Sequence, residues 1–343
     1  MFTLLNDISL PVAFALFSFC AVVIGIVGTR LTQVVDNLAD RTGLGEAIAG
    51  AVLLGMATSL SGIVVSVSSA WTDKPELAMS NALGGIAVQT LFLTIADMVY
   101  RRANLEHAAA SLGNLIQGAL LLCLLSLLLV GRFAPEWTFW QIHPITPLLF
   151  IAYLFGLRLI KNAHTRPMWS PTRTRETRED QPDEPSGELT LKRLWLIFLG
   201  LALSIGFTGW LLERSATIIA ADTGLSQAAV GVLLTSVVTS LPELVTTIAA
   251  VRRRALTLAV AGIIGGNAFD TLFAAASDVA YRGGSIYHVI PNHVMLWVAL
   301  TVLMTGVLML GLLHRQEQGP GRIGFESMVI IGLYLAGIII LFN

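Results

Sequence analysis

Glu243 and Asp270 lie near the middle of two long apolar runs, 225–250 and 256–280. A charged side chain at the centre of a membrane helix costs about 2.5–3.5 kcal/mol on insertion scales, so two such groups ask for a ligand or a proton. Around Glu243, the residues Ser236, Thr239, Ser240, Thr246 and Thr247 recur at i, i+3 and i+4 and make one hydroxyl-rich helix face. Carboxylate and hydroxyl oxygens are hard ligands, suited to Na⁺ or Ca²⁺ rather than zinc or copper, and no His or Cys stands beside them. Pro242 has no N–H to give the carbonyl of Val238, which predicts a kink and freed carbonyls lining a cavity. In "GIIGGNAFDTL", Gly262 and Gly266 fall on the face of Asp270 and would let another backbone approach closely. The competing reading makes both acids protonated or hydrogen-bonded packing residues.

The elements that hold these groups must be membrane helices. Of 343 residues, 55% are apolar and 13% charged, against about 25% charged in soluble domains, and the mean hydropathy is +0.75. Ten spans are expected, near 10–30, 44–70, 77–100, 112–131, 143–160, 194–214, 225–250, 256–280, 290–313 and 325–342. The opening "MFTLLNDISL" lacks the positive region of a signal peptide, so the first apolar run reads as a retained span. Seventeen of the 21 Lys and Arg residues fall in odd-numbered connections, which puts both termini outside and the 162–191 linker in the cytoplasm of a plasma (inner) membrane. A net charge of −1 suggests no nucleic-acid partner, and Cys20 and Cys123 suggest neither a disulfide nor a metal pair. With no nucleophile–base set and no cofactor loop, neither an enzyme nor a bound cofactor is expected; the partners are the bilayer and small cations.

Sliding the chain by 181 residues lays Thr42–Arg101 on Thr223–Arg282 without a gap. "TGLGEAIAG" meets "TGLSQAAVG", "TSLSG" meets "TSLPE", "GGIAVQTLF" meets "GGNAFDTLF" and "ADMVYR" meets "SDVAYR". Recurring Thr, Asp, Tyr and Arg exclude a coincidence of apolar composition. Five spans per half bring the second copy in from the opposite face, so the fold class is an all-α polytopic membrane protein of two inverted five-helix repeats. Residues 1–161 form the first repeat with its motif at 42–101, 162–191 the linker, and 192–343 the second repeat with its motif at 223–282.

"TSLPELVTT" and "GGNAFDTLF" resemble the alpha-repeat motifs of the cation/calcium exchanger superfamily, which includes the sodium/calcium exchangers. The resemblance implies alternating-access antiport of Ca²⁺ or another cation against Na⁺ or H⁺, with spans one and six sliding across the rest. It implies cation ligands at Thr239, Ser240, Glu243 and Asp270, and in the first half at Thr58, Ser59 and, through its amide oxygen, Gln89. Departures from the family pattern are Ser61 and Gly62 in place of Pro and Glu, Gly85 and Gly266 in place of serines, and Gln89 in place of Asn or Asp. Gly62 leaves space where a carboxylate would stand. A proton-coupled or monovalent exchanger, a passive channel, and a transport-incompetent ion-sensing or scaffold relative remain open. Asp97 and Asp278 read as i,i+4 partners of Arg101 and Arg282. Trp137, Trp140 and Trp297 read as interface anchors, and His143, His288 and His293 as interfacial residues.

Overall fold

A computed structural model describes residues 8–42, 57–100, 102–165, 169–172, 174, 190–319 and 323–342. The chain opens with α1 (Leu10–Thr42), followed by α2 (Leu60–Trp71), α3 (Pro75–Val99), the short α4 (Leu105–Ala108), α5 (Leu112–Phe133) and α6 (Ile145–Thr165). After the linker come α7 (Leu191–Thr223), α8 (Gln227–Thr239) with a π-helical stretch at Gly231–Thr235, α9 (Leu241–Arg253), α10 (Leu256–Ala280), the short α11 (Ile286–Val289), α12 (Asn292–His314) and α13 (Phe325–Leu341). Seven of these are long and apolar enough to cross a membrane; α8 and α9 form one further span bent by 47°, and α2 and α13 are shorter apolar helices. Together they occupy the ten expected positions. The first part of span two, 43–56, and most of the linker lie outside the described residues, as do Arg101 and Arg322.

The helix ends follow from local sequence. Ser111, Thr190 and Ser226 accept hydrogen bonds from Asn114, Arg193 and Ala229 backbone N–H groups and start α5, α7 and α8. Gly224, at φ +73°, closes α7 in the left-handed conformation that a residue with a Cβ rarely adopts.

The 181-residue register extends well beyond the motifs. It carries Leu10 and Thr42, the ends of α1, onto Leu191 and Thr223, the ends of α7. It likewise carries α3 onto α10 and α4 onto α11. The buried pair α3 and α10 forms the centre, with α2, α5 and α6 against α10 and α13 against α3. The two 33-residue helices α1 and α7 pack along each other as a separate layer over this centre.

Two buried aspartates tie the halves together, which corrects the ion-pair expectation for Asp278 and Arg282; Arg101, the expected partner of Asp97, lies outside the described residues. Asp97 Oδ1 accepts from Leu105 N at 2.7 Å, and Oδ2 accepts from Gly324 N and Ser327 Oγ, each at 3.0 Å. Asp278 Oδ1 accepts from Ile286 N at 3.0 Å, and Oδ2 from His143 N at 2.8 Å and Thr146 Oγ1 at 2.6 Å. Every donor in one set is the repeat mate of a donor in the other. Both aspartates are fully buried, where orphaned helix-terminal N–H groups are at hand. Trp297 also departs from expectation: it is buried, edge-on to Tyr334 with ring centroids 5.8 Å apart, while Trp137 and Trp140 are exposed.

Candidate cation site

The site forms where two helices break. Ser240, between α8 and α9, has φ −94° and ψ 4°; its repeat mate Ser59, at the start of α2, has φ −88° and ψ 3°. Pro242 sits in the first turn of α9, as the kink expectation required. The first half breaks at the matching place with Ser61 in the proline's position, so the proline is not what defines the break. The freed carbonyl of Thr239 accepts from Ser61 Oγ at 3.3 Å, across the repeat.

The second-half carboxylates converge with first-half polar groups. Ser59 Oγ donates to Asp270 Oδ1 at 2.6 Å and lies 3.5 Å from Glu243 Oε1, placing one hydroxyl between the two acids. Thr58 donates to Glu243. Gln89, the repeat mate of Asp270, donates through Nε2 to Asp270 Oδ2 at 2.7 Å and to Ser240 Oγ at 3.2 Å. The Ser59–Asp270 and Gln89–Ser240 contacts are themselves repeat mates. Six of the seven residues singled out in the sequence (Thr58, Ser59, Gln89, Ser240, Glu243 and Asp270) therefore meet in one buried cluster. Thr239 is buried beside them, but its hydroxyl turns back to the Ser236 carbonyl at 3.2 Å.

Glu243 and Asp270 are 4% and 1% exposed. Two carboxylates this close and this dry cannot both stay charged without a counter-charge. Among the described residues Glu243 Oε2 and Gln89 Oε1 have no hydrogen-bond partner, so acceptor capacity is left for a cation or a proton. Among the described residues no group of three His, Cys, Asp or Glu side chains is placed to hold a metal ion. A cation here would rest on two carboxylates supplemented by hydroxyl, amide and main-chain oxygens.

Two sequence expectations change. Gln89 was expected to offer its amide oxygen, but in this arrangement its amide nitrogen faces Asp270 and the oxygen stands free. Gly62 does not leave an open space: a Cβ there would lie 2.7 Å from Phe273 Cε2, because the phenyl ring fills the position. Among the described residues a Cβ at Gly262 would meet nothing within 4 Å, and one at Gly266 only Gln89 Oε1 at 3.5 Å; residues 43–56, whose repeat mates pack on the matching face of α3, lie outside the described residues.

The close approaches occur elsewhere, at repeat mates Gly28 and Gly209. A Cβ on Gly28 in α1 would lie 2.5 Å from Pro242 Cγ, and one on Gly209 in α7 would lie 3.1 Å from the Ser61 carbonyl oxygen. Each long helix thus crosses the broken helix of the other half on a glycine. Gly28, Gly209 and Phe273 were not recognised in the sequence; pairing Gly28 with Gly209 at the 181 shift would have flagged two of these positions.

Comparison with known proteins agrees with this architecture. The model of the sodium/calcium exchanger protein family matches residues 12–159 and 192–343. The inner membrane protein YrbG of Escherichia coli (strain K12) is 28% identical over 260 residues, covering 75% of this chain and 76% of that protein. CaxA of Alkalimonas amylolytica, named as a proposed antiporter, is 27% identical over 299 residues, covering 86% and 89%. Among solved structures, the H⁺/Ca²⁺ exchanger CAX superposes with a TM-score of 0.72 at 12% identity, over 96% of this chain and 82% of that one. The sodium–calcium exchanger NCX_Mj superposes with a TM-score of 0.62 at 18% identity, over 96% and 99%. At these identities the two structures bear on the fold alone.

Proposed function

Because the chain belongs to the sodium/calcium exchanger protein family, a family of transporters and not of enzymes, we propose that it is a secondary antiporter that moves Ca²⁺ or another cation against H⁺ or Na⁺ by alternating access. The observation that carries this reading is the Ser59 hydroxyl set between Glu243 and Asp270, deep in an integral membrane protein. The ligand set is Glu243, Asp270, Ser59, Thr58 and Ser240, with Thr239 beside them. Gln89 joins through its free oxygen once its amide turns away from Asp270.

The charge balance favours a proton as counter-ion. Two carboxylates are neutralised by one divalent cation or by two protons, and either exchange leaves the site near neutral. Several Na⁺ ions in place of one Ca²⁺ would need further oxygen donors, and the ring of Phe273 stands where the first half would supply them. Access changes as α1 and α7 move over the breaks at Ser59 and Ser240, on the contacts at Gly28 and Gly209. Residues 1–161 and 192–343 act as the two repeats. The linker 162–191 faces the cytoplasm, the termini face outward, and the membrane is the inner (plasma) membrane, as the lysine and arginine distribution and the name of the Escherichia coli relative support.

The test is ⁴⁵Ca²⁺ and ²²Na⁺ flux into proteoliposomes under imposed pH or Na⁺ gradients. A pH gradient is expected to drive Ca²⁺ uptake that is lost in Glu243→Gln and Asp270→Asn. Retained pH-driven flux in Glu243→Gln would sink the assignment of that residue. No flux under any gradient would return the protein to the scaffold reading.

A further inference from the structure

At the end of the bundle that carries the linker, a second group of acids is buried between helices of both halves. Asp97 on α3, Glu106 on α4 and Glu326 at the start of α13 are each at most 1% exposed. Asp97 accepts from its three donors. Glu106 and Glu326 are less well served: among the described residues no N–H or hydroxyl of another residue reaches Glu106 Oε1, Glu106 Oε2 or Glu326 Oε2. The two side chains face each other at hydrogen-bond range. Two carboxylates can make that contact only if one of them brings the proton.

The opposite end of the molecule provides a built-in comparison. There the repeat mates of Glu106 and Glu326 are Tyr287 and Ile145, and Asp278 keeps its three donors with no acid beside it among the described residues. The acid pair is therefore not needed to complete the aspartate cap, and the repeat carries it at the linker end and not at the matching positions of the other end. α4 also holds the linker: His107 Nε2 bonds Thr174 Oγ1 at 3.1 Å, and His107 Nδ1 bonds the Arg315 carbonyl at 2.7 Å. The Arg315 guanidinium in turn donates to the carbonyls of His107 and Thr172.

We propose that Glu106 and Glu326 share one proton and form a second protonation site, separate from Glu243 and Asp270, whose emptying loosens α4 and the docked linker from the bundle. The groups that face the pair are Asp97 from α3 and His314 from α12, with His107 and Arg315 backing α4. With the proton lost, three adjacent buried carboxylates repel one another, and α4, a single buried turn between two long helices, is the shortest element that carries one of them. Burial, and after it the charges of Asp97 and Glu326, holds the Glu106 carboxyl well above the usual carboxylate range. The folded protein thus binds this proton more tightly than the unfolded chain. Its stabilising contribution is fully present below the unfolded value of about 4.3 and disappears as pH rises through the folded value. The inference does not depend on which cations cross the membrane.

Hydrogen exchange on the purified full chain tests it, with α11 as the acid-free control for α4. Corrected for intrinsic rates, exchange at Leu105–Ala108 relative to Ile286–Val289 is expected to rise with pH by up to about tenfold per unit, the slope of one released proton. Both Glu106→Gln and Glu326→Gln are expected to flatten that ratio, and to flatten the fall of melting temperature with pH. A ratio in the wild-type protein that stays constant with pH would overturn the proposal, and this measurement needs no variant to fold. A folded variant with an unchanged pH slope would also overturn it. So would Ca²⁺ protecting α4 at fixed alkaline pH in the wild type but not in the variants, since the pair would then hold a metal ion and not a proton.

Discussion

A double-mutant cycle measures the contact between Gly62 and Phe273, the ring that fills the position beside the proposed cation site. An added methyl at Gly62 would lie 2.7 Å from Phe273 Cε2 and 3.4 Å from Cζ. Carbon atoms settle at about 3.5–4.0 Å, so the ring or α2 must give by about 1 Å. Overpacking of this kind costs about 1–3 kcal/mol, while alanine in a helix returns up to about 1 kcal/mol over glycine. Gly62→Ala alone should therefore destabilise by about 0–2 kcal/mol. In a Phe273→Leu background the ring is gone, and the same change should be neutral or stabilise by up to about 1 kcal/mol. The coupling expected between the two positions is about 1–3 kcal/mol, well above the ~0.5 kcal/mol scatter of independent sites. Unfolding of the four purified variants in detergent reads it directly. Gly62→Glu placed in the Phe273→Leu background then returns the missing carboxylate, and ²²Na⁺-driven Ca²⁺ flux should appear or grow. Additive effects of Gly62→Ala and Phe273→Leu would refute the idea that the ring fills this position.

Two further outcomes follow from the repeat geometry. Gly28→Val should slow exchange more than Gly209→Val, because the Gly28 contact with Pro242 is closer than the Gly209 contact with Ser61; equal turnover of both variants and wild type in the flux assay would remove these glycines from the moving contact. Asp97→Asn and Asp278→Asn should each lower stability by about 1.5–3 kcal/mol through weakened charge-assisted bonds, and a thermal-shift comparison in which one aspartate proved dispensable would break the energetic symmetry of the two caps.

Much of this molecule was legible in its sequence, for identifiable reasons. The repeat could be read because Thr, Asp, Tyr and Arg recur in places where apolar composition does not demand them. Glu243 and Asp270 could be read because charge is costly at membrane depth. The break in the second half was announced by Pro242, but its twin at Ser59 carries no proline and was silent. The role of Asp278 was misread because nearby Arg282 looks like the natural partner, whereas two of its donors lie 132 and 135 residues away; the donors of Asp97 lie up to 230 residues away. The same distance hid Glu106 and Glu326, each of which reads alone as an ordinary acid in the first turn of a helix. Gly62 was read as a gap because a sequence shows what a residue lacks and not which neighbour moves in.

The aspartate caps also set an order on synthesis. Asp278 emerges after His143 and Thr146 have already been made, so its donors from the first half are waiting. Asp97 has Leu105 at once, but Gly324 and Ser327 follow 227 and 230 residues later. At about 5–20 residues per second, the ribosome leaves that carboxylate incompletely capped for about 10–45 s. The N-terminal half is therefore completed only when α13 has left the ribosome. A chain stopped before α13 carries its defect some two hundred residues upstream, where a quality-control protease would meet the loosened end of α3.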